Sequence, residues 1–181
     1  MEQHPARQPD PPQRLLRLPS WLLAQGAGHA QRLVADALAD HGMRRHHFAA
    51  LAALHEQGQS SQVVLGRRLA LDPSDLHAVL NDLEQRGLVA RVRDAQDRRR
   101  NVVELTDAGE RALTDLGDRV DAAQHTLLGG LTDSERHQLV SLLTRLHDHH
   151  RDRGTVPARV QDEAGGVGQG ETGPGGVPDR R

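Results

Sequence analysis

The stretch "LALDPSDLHAVLNDLEQRGLVARVRDAQDRRRNVVELT", residues 69–106, carries the signals of a capped helix, a hairpin and the opening of a further helix in immediate succession. Asp72 is a good N-cap, Pro73 suits the first helical turn, Asp75 complements the positive helix end, and Gly87 is a good C-terminal stop. The spacing predicts a helix from about 73 to 86. Leu76, Val79, Leu80 and Leu83 recur at helical intervals and make its buried stripe, leaving Ser74, Asp75, His77, Ala78, Asn81 and Asp82 on the other side. That outer face is small, polar and able to hydrogen-bond, although Asp75 and Asp82 make it acidic. Beyond it, "LVARVR" and "NVVEL" have strand-like patterns, and the polar loop "DAQDRR" between them predicts a hairpin turn.

Upstream, Ser60 or Ser61 is placed to cap a short helix, "SQVVLGRRLAL", with Val64, Leu65 and Leu69 expected to face inward. Two short helices joined by the tight "LALDPS" connection, the second presenting a polar outer face, describe a helix-turn-helix. An ordinary amphipathic surface helix has the same periodicity, so the helix alone leaves both readings open. The hairpin separates them. Arg91, Arg93, Arg98, Arg99 and Arg100 stand against only Asp94 and Asp97, a local positive excess on a chain whose net charge is -2. Guanidinium is planar, permanently charged and matched to phosphate, and narrow minor grooves attract it. A solvated loop could also carry arginines; adjacency to a helix-turn-helix favours nucleic acid.

The chain as a whole narrows the classes. Its 181 residues hold one ordinary domain with ends to spare. The lack of cysteine excludes disulfide frameworks, thiolate zinc sites and a cysteine nucleophile, and fits a reducing compartment. No apolar run approaches the roughly 20 residues that span a bilayer. The polar start "MEQHPARQPDPPQR" has no signal-peptide apolar region, so a soluble, cytoplasmic protein without a membrane partner is expected. No nucleophile with a base, phosphate loop or carboxylate pair stands out, so neither an enzyme nor a cofactor is expected. Every Lys/Arg position is arginine, which an alanine-rich, GC-rich coding sequence also produces.

Residues 1–18 and 152–181 are rich in proline or glycine and lack apolar periodicity, which predicts disordered tails around a folded domain at 19–151. A first helix, about 20–40, carries Leu22, Leu23, Ala30, Leu33, Val34, Ala37 and Leu38 on one stripe, with Gly42 past its end. A second, roughly 44–57, is expected to bury Phe48, Leu51, Ala52 and Leu54 and to stop at Gly58. Thr106 caps a fifth helix with an inward stripe at Ala108, Ala112, Leu116, Val120, Ala123 and Leu127. Thr132 and Glu135 form a capping box for a sixth, expected to bury Leu139, Val140, Leu142, Leu143 and Leu146. The fifth and sixth helices together occupy about 106–150. With the first helix they offer more apolar surface than a small winged domain can cover.

The run "LGRRLALDPSDLHAVLNDLEQRGLVARVRDAQDRRRNVVELTDAGERAL" resembles, motif for motif and in order, the winged helix-turn-helix of the MarR family of bacterial transcription regulators. The likeness is specific over about 60–113, above all in "LEQRGLVARVRDAQDRR" and the following "LT", and helix spacing extends it to about 20–150. It implies a mainly α fold with a small β-hairpin wing, a DNA-binding part at about 60–105, and a dimerisation region built from the first, fifth and sixth helices. The family's wing carries an Asp-x-Arg element, here Asp97 and Arg99, with the arginine reaching into the minor groove. Candidate DNA contacts are therefore Ser74, Asp75, His77, Ala78 and Asn81 on the recognition helix and Arg91, Arg93, Asp97, Arg98, Arg99 and Arg100 on the wing. The implied function is a sequence-specific DNA-binding regulator, a homodimeric repressor on a pseudo-palindromic duplex site, modulated by a small effector.

The family's small-molecule pocket would here involve Trp21, Gln25, His47, Leu51 and His55, although Trp21 reads equally well as a core or dimer anchor. Some family members sense zinc; the matching candidates are His47, Asp121 and His125, with Gly117 leaving the set incomplete. Histidines clustered as "RRHHF" or "HDHH", among 12 in the chain, also read as solvated helix termini. Two alternatives stay open beside the repressor: a zinc-responsive regulator, and a non-catalytic winged-helix interaction protein that has lost specific DNA binding.

Overall fold

A computed structural model describes residues 10–94 and 101–151. The tail segments 1–9 and 152–181, and Asp97, Arg98, Arg99 and Arg100 of the expected wing, lie outside the described residues. A short 3-10 turn at Leu15–Arg17 falls within the stretch expected to be an N-terminal tail. Local geometry explains it: Leu15 N–H donates to Pro12 O and Leu18 N–H to Leu15 O, at 2.9 and 3.0 Å.

Among the described residues six helices and one hairpin follow: α1 (Pro19–Ala39), α2 (Arg45–Gln57), α3 (Gln62–Leu69), α4 (Pro73–Gln85), β1 (Val89–Arg93), β2 (Asn101–Leu105), α5 (Asp107–Leu127) and α6 (Asp133–Arg151). The strands pair antiparallel, with Val89 opposite Leu105, Arg91 opposite Val103 and Arg93 opposite Asn101. Between α3 and α4 the chain turns through Ala70, which takes the left-handed conformation (φ 52°) while Leu71 N–H closes onto Gly66 O at 3.0 Å. Gly87 (φ 70°) ends α4, and Leu88 N–H returns to Leu83 O, aiming the chain into β1.

The core gathers Leu38 of α1, Ala50, Leu51, Ala53 and Leu54 of α2, Leu65 of α3, the stripe Leu76, Val79, Leu80 and Leu83 of α4, Val89 and Val103 of the hairpin, and Leu116 of α5. The α4 stripe is the one its periodicity predicts. Ser61, rather than Ser60, caps α3 by accepting Val64 N–H at 3.4 Å. Ser60 is instead buried and bridges β2, exchanging backbone hydrogen bonds with Val103 at 2.9 and 2.8 Å. Thr106 and the Thr132–Glu135 box cap α5 and α6 as expected.

Several expected burials are not found within the single chain. Leu22 and Leu23 are 47% and 43% exposed, because only further along α1 do Val34 and Leu38 reach the core. Val64 points outward from the first turn of α3 and is half exposed. Phe48 and Ala52 are only partly buried. On α6 no residue is buried: Leu139 is partly covered, while Val140, Leu142, Leu143 and Leu146 are 40–57% exposed. Periodicity identifies which face of a helix is apolar, and burial requires another element to lie over it.

Candidate nucleic-acid interface

The core stripe of α4 holds the opposite face outward, so Ser74, Asp75, His77 and Ala78 are exposed and Asn81 is half-buried at the foot of the hairpin. Asn81 faces β1. Arg91 Nη2 donates to Asn81 Oδ1 at 2.6 Å, the same guanidinium pairs with Glu84 through Nη1, and Asn81 Nδ2 lies 3.0 Å from His77 Nε2. Arg91 is thus a strut between hairpin and helix, with its side chain only a quarter exposed. Arg93, at the open end of β1, is exposed.

Asp82 is not on the outer face where helical spacing places it. Its carboxylate turns toward α2, 3.0 Å from Arg86 Nε and 3.3 Å from His47 Nε2. Position 82 borders the buried stripe next to Leu83, and Arg86 and the His47 ring give the carboxylate neighbours on the α2 side. Arg86 extends this contact by donating to His41 O and Gly42 O, both at 3.1 Å, which pins the end of α4 to the α1–α2 turn.

His47 is 1% exposed, where a solvated helix terminus is one reading of its sequence context. It occupies the first turn of α2, and its Nδ1 accepts Arg44 N–H at 3.0 Å, filling one of the donors left free at a helix start. Nε2 then faces Asp82 at 3.3 Å without hydrogen-bond alignment. Burial lowers the His47 pKa from 6.5; Asp82 opposes this, while Arg44, Arg86 and His46 reinforce it.

The base of the hairpin is clamped to α5. Thr106 Oγ1 bonds Gly87 O at 2.8 Å and Leu88 O at 3.1 Å while accepting Gly109 N–H at 3.0 Å. A Cβ built on Gly109 would lie 2.1 Å from Leu88 O, so only glycine permits this approach. Sequence reasoning missed the roles of Glu84, Arg86, Ser60 and Gly109. Charge pairing of Glu84 with Arg91 across Gly87 was the one legible signal among them.

The candidate ligand residues lie on α1 and α2. His47 and Leu51 are buried, Trp21 is partly buried and Gln25 exposed on α1, and exposed His55 pairs with Glu110 of α5 at 2.7 Å. An open groove of about 390 Å³ lies elsewhere, between Gln57, Ser61, Val64 and Val102. Among the described residues no group of three or more His, Cys, Asp or Glu side chains could hold a metal. Asp121 and His125 are exposed on α5, His125 lying 3.4 Å from Arg136, and His47 faces Asp82. No helix among the described residues is long and apolar enough to cross a membrane.

Known proteins share this arrangement. A family model described as MarR family matches residues 41–100, from the turn between α1 and α2 to the residue before β2. A curated Thauera aromatica protein named "Putative transcriptional regulatory protein for hcr operon" is 33% identical over 102 residues, which span 56% of this chain and 60% of that one, less than two thirds of its length. The crystal structure of a MarR-family transcriptional regulator from Rhodococcus sp. RHA1 is 30% identical, with a TM-score of 0.64, covering 70% of this chain and 90% of that chain. The structure of CouR from Rhodococcus jostii RHA1 bound to p-coumaroyl-CoA is 29% identical, with a TM-score of 0.66, covering 83% of this chain and all of that chain. A helix-turn-helix braced to a hairpin wing, carried on a long α5 and matched over nearly the whole of a solved relative, makes this chain a transcriptional regulator of the MarR family.

Proposed function

We propose that the protein is a homodimeric repressor that binds a pseudo-palindromic duplex through α4 and the wing and is modulated by a small effector. The observation that carries this reading is the outward face of α4: Ser74, His77, Ala78 and Asn81 stand beside a hairpin that Arg91 and Thr106 hold in place. The inward turn of Asp82 removes one of the two acids that weighed against nucleic acid, which favours DNA binding over a winged interaction module. The uncovered apolar faces of α1 and α6 support a two-fold assembly, since an isolated helix with no buried face is marginal in water. Binding of p-coumaroyl-CoA by CouR supports effector control.

Two measurements test this. Light scattering of the protein and of the Leu142→Glu/Leu146→Glu variant should give twice the chain mass and the chain mass, respectively. Titration of a duplex taken from upstream of the protein's own gene should show saturable binding that weakens steeply with salt. A monomeric wild type, or binding no tighter than to a scrambled duplex, would overturn the proposal.

A further inference from the structure

Arg91, Asn81 and His77 form one directional chain of hydrogen bonds. Arg91 Nη2 donates to Asn81 Oδ1 at 2.6 Å while its other arm is held by Glu84. A guanidinium has donors only, so the amide oxygen must face it and the amide nitrogen must face away. That nitrogen lies 3.0 Å from His77 Nε2. An amide nitrogen only donates, so Nε2 is the acceptor and the neutral ring carries its proton on Nδ1. His77 is exposed, and Asn81 keeps a second N–H.

We propose that Arg91, braced by Glu84, is a positioning residue that locks Asn81 and His77 with their donors outward, so that this part of α4 selects base edges that accept hydrogen bonds, guanine O6/N7 or thymine O4. The inference rests on the proposed DNA-binding role of α4. It differs from the ordinary behaviour of asparagine, which addresses adenine by accepting from N6 and donating to N7. Here Arg91 engages the amide oxygen, and rotating the amide to present it would set N–H groups against the guanidinium. Cytosine, whose N4 is a donor, is disfavoured at this position, and adenine, whose N7 accepts but whose N6 donates, is disfavoured relative to guanine. Arg91 itself spends its charge on Glu84, which makes it a poor phosphate contact.

The test uses the full chain, enriched against a pool of random-sequence duplexes, followed by a salt series on the enriched duplex. Asn81→Asp keeps a partner for Arg91 but offers acceptors only. Facing that carboxylate, His77 Nε2 can only donate. The variant's preference at the contacted base is expected to move from guanine or thymine to cytosine or adenine by about tenfold, within the range of a single base contact. Arg91→Met frees the amide to rotate and should admit adenine at that base. Its slope of log affinity against log salt should match wild type, because no phosphate contact is lost; losing one would flatten the slope by about 0.9.

Unchanged preferences in both variants overturn the relay and leave DNA binding by α4 standing. A flatter salt slope for Arg91→Met makes Arg91 a phosphate contact and overturns its positioning role. If the wild type enriches no duplex, the DNA-binding reading falls and the relay with it. Thermal melts report folding; should Arg91→Met not fold, the base preference of Asn81→Asp decides alone.

Discussion

Gly109→Ala should destabilise the domain by about 2–4 kcal/mol, a sign opposite to that expected from helix propensity. The residue is the third of α5, and the added methyl would sit 2.1 Å from Leu88 O and 2.7 Å from Leu105 Cδ1. A relaxed carbon–oxygen contact needs about 3.3 Å, so α5 and the hairpin base must separate by roughly an ångström. Overpacking of this kind costs about 1–3 kcal/mol, and the displaced Leu88 O also accepts Thr106 N–H and shares the Thr106 Oγ1–H with Gly87 O, together worth about 1–2 kcal/mol. Against this, alanine recovers at most about 1 kcal/mol of backbone entropy, less near a helix start than in its middle. Urea unfolding followed by circular dichroism measures the difference, and the melting midpoint should drop by about 5–15 °C. Gly117→Ala is the internal control: it lies in the same helix with nothing within 4 Å of the added carbon, and should gain up to about 1 kcal/mol. Equal or greater stability for Gly109→Ala would refute the argument that close approach dictates glycine there.

Acid should weaken the fold through His47. The unfolded chain takes up this proton near 6.5, whereas burial delays it in the folded protein, so the stability is present above 6.5 and lost as pH falls through the lowered value. The melting midpoint should fall between about pH 7 and about pH 5, and less steeply in His47→Gln; parallel pH profiles would contradict this. Arg99→Ala should lower duplex affinity by about 1–3 kcal/mol in a fluorescence anisotropy titration while leaving the melting midpoint unchanged. A chain ending at residue 151 should keep its oligomeric state and its specific affinity at physiological salt, since the segment beyond it has too little apolar surface to offset ordering. Loss of either on truncation would give that segment a functional role.

What was legible in the sequence was local. The α4 stripe, the hairpin on either side of its polar loop, the Thr106 cap and the Thr132–Glu135 box all depend on residues within a few positions of one another, where spacing carries the physics. The turn through Ala70 was hidden because no glycine marks its left-handed backbone; closure of Leu71 N–H onto Gly66 O holds it there. Asp82 was misplaced because it looks polar and solvent-seeking alone, and only the approach of α2 to α4 brings it to His47. Leu22, Leu23 and the α6 leucines were correctly read as apolar faces, but what covers such a face is not written in its own helix. Arg91 reads in sequence as one more wing cation, and its contacts with Glu84 and Asn81 depend on the approach of β1 to α4.

The seating of Gly109 against Leu88 leaves no slack between α5 and the hairpin, which makes α5 a lever. Its 21 residues extend about 31 Å at 1.5 Å per residue. A tilt of about 6° at one end sweeps the other through about 3 Å, close to the 3.4 Å rise between successive base pairs. With α1 packed along it, α5 would, on the proposed DNA-binding role, turn a small angular adjustment into a displacement of α4 by about one base-pair step. On that role, the close seating at Gly109 would set how little the far end of α5 must move to put α4 out of phase with a duplex.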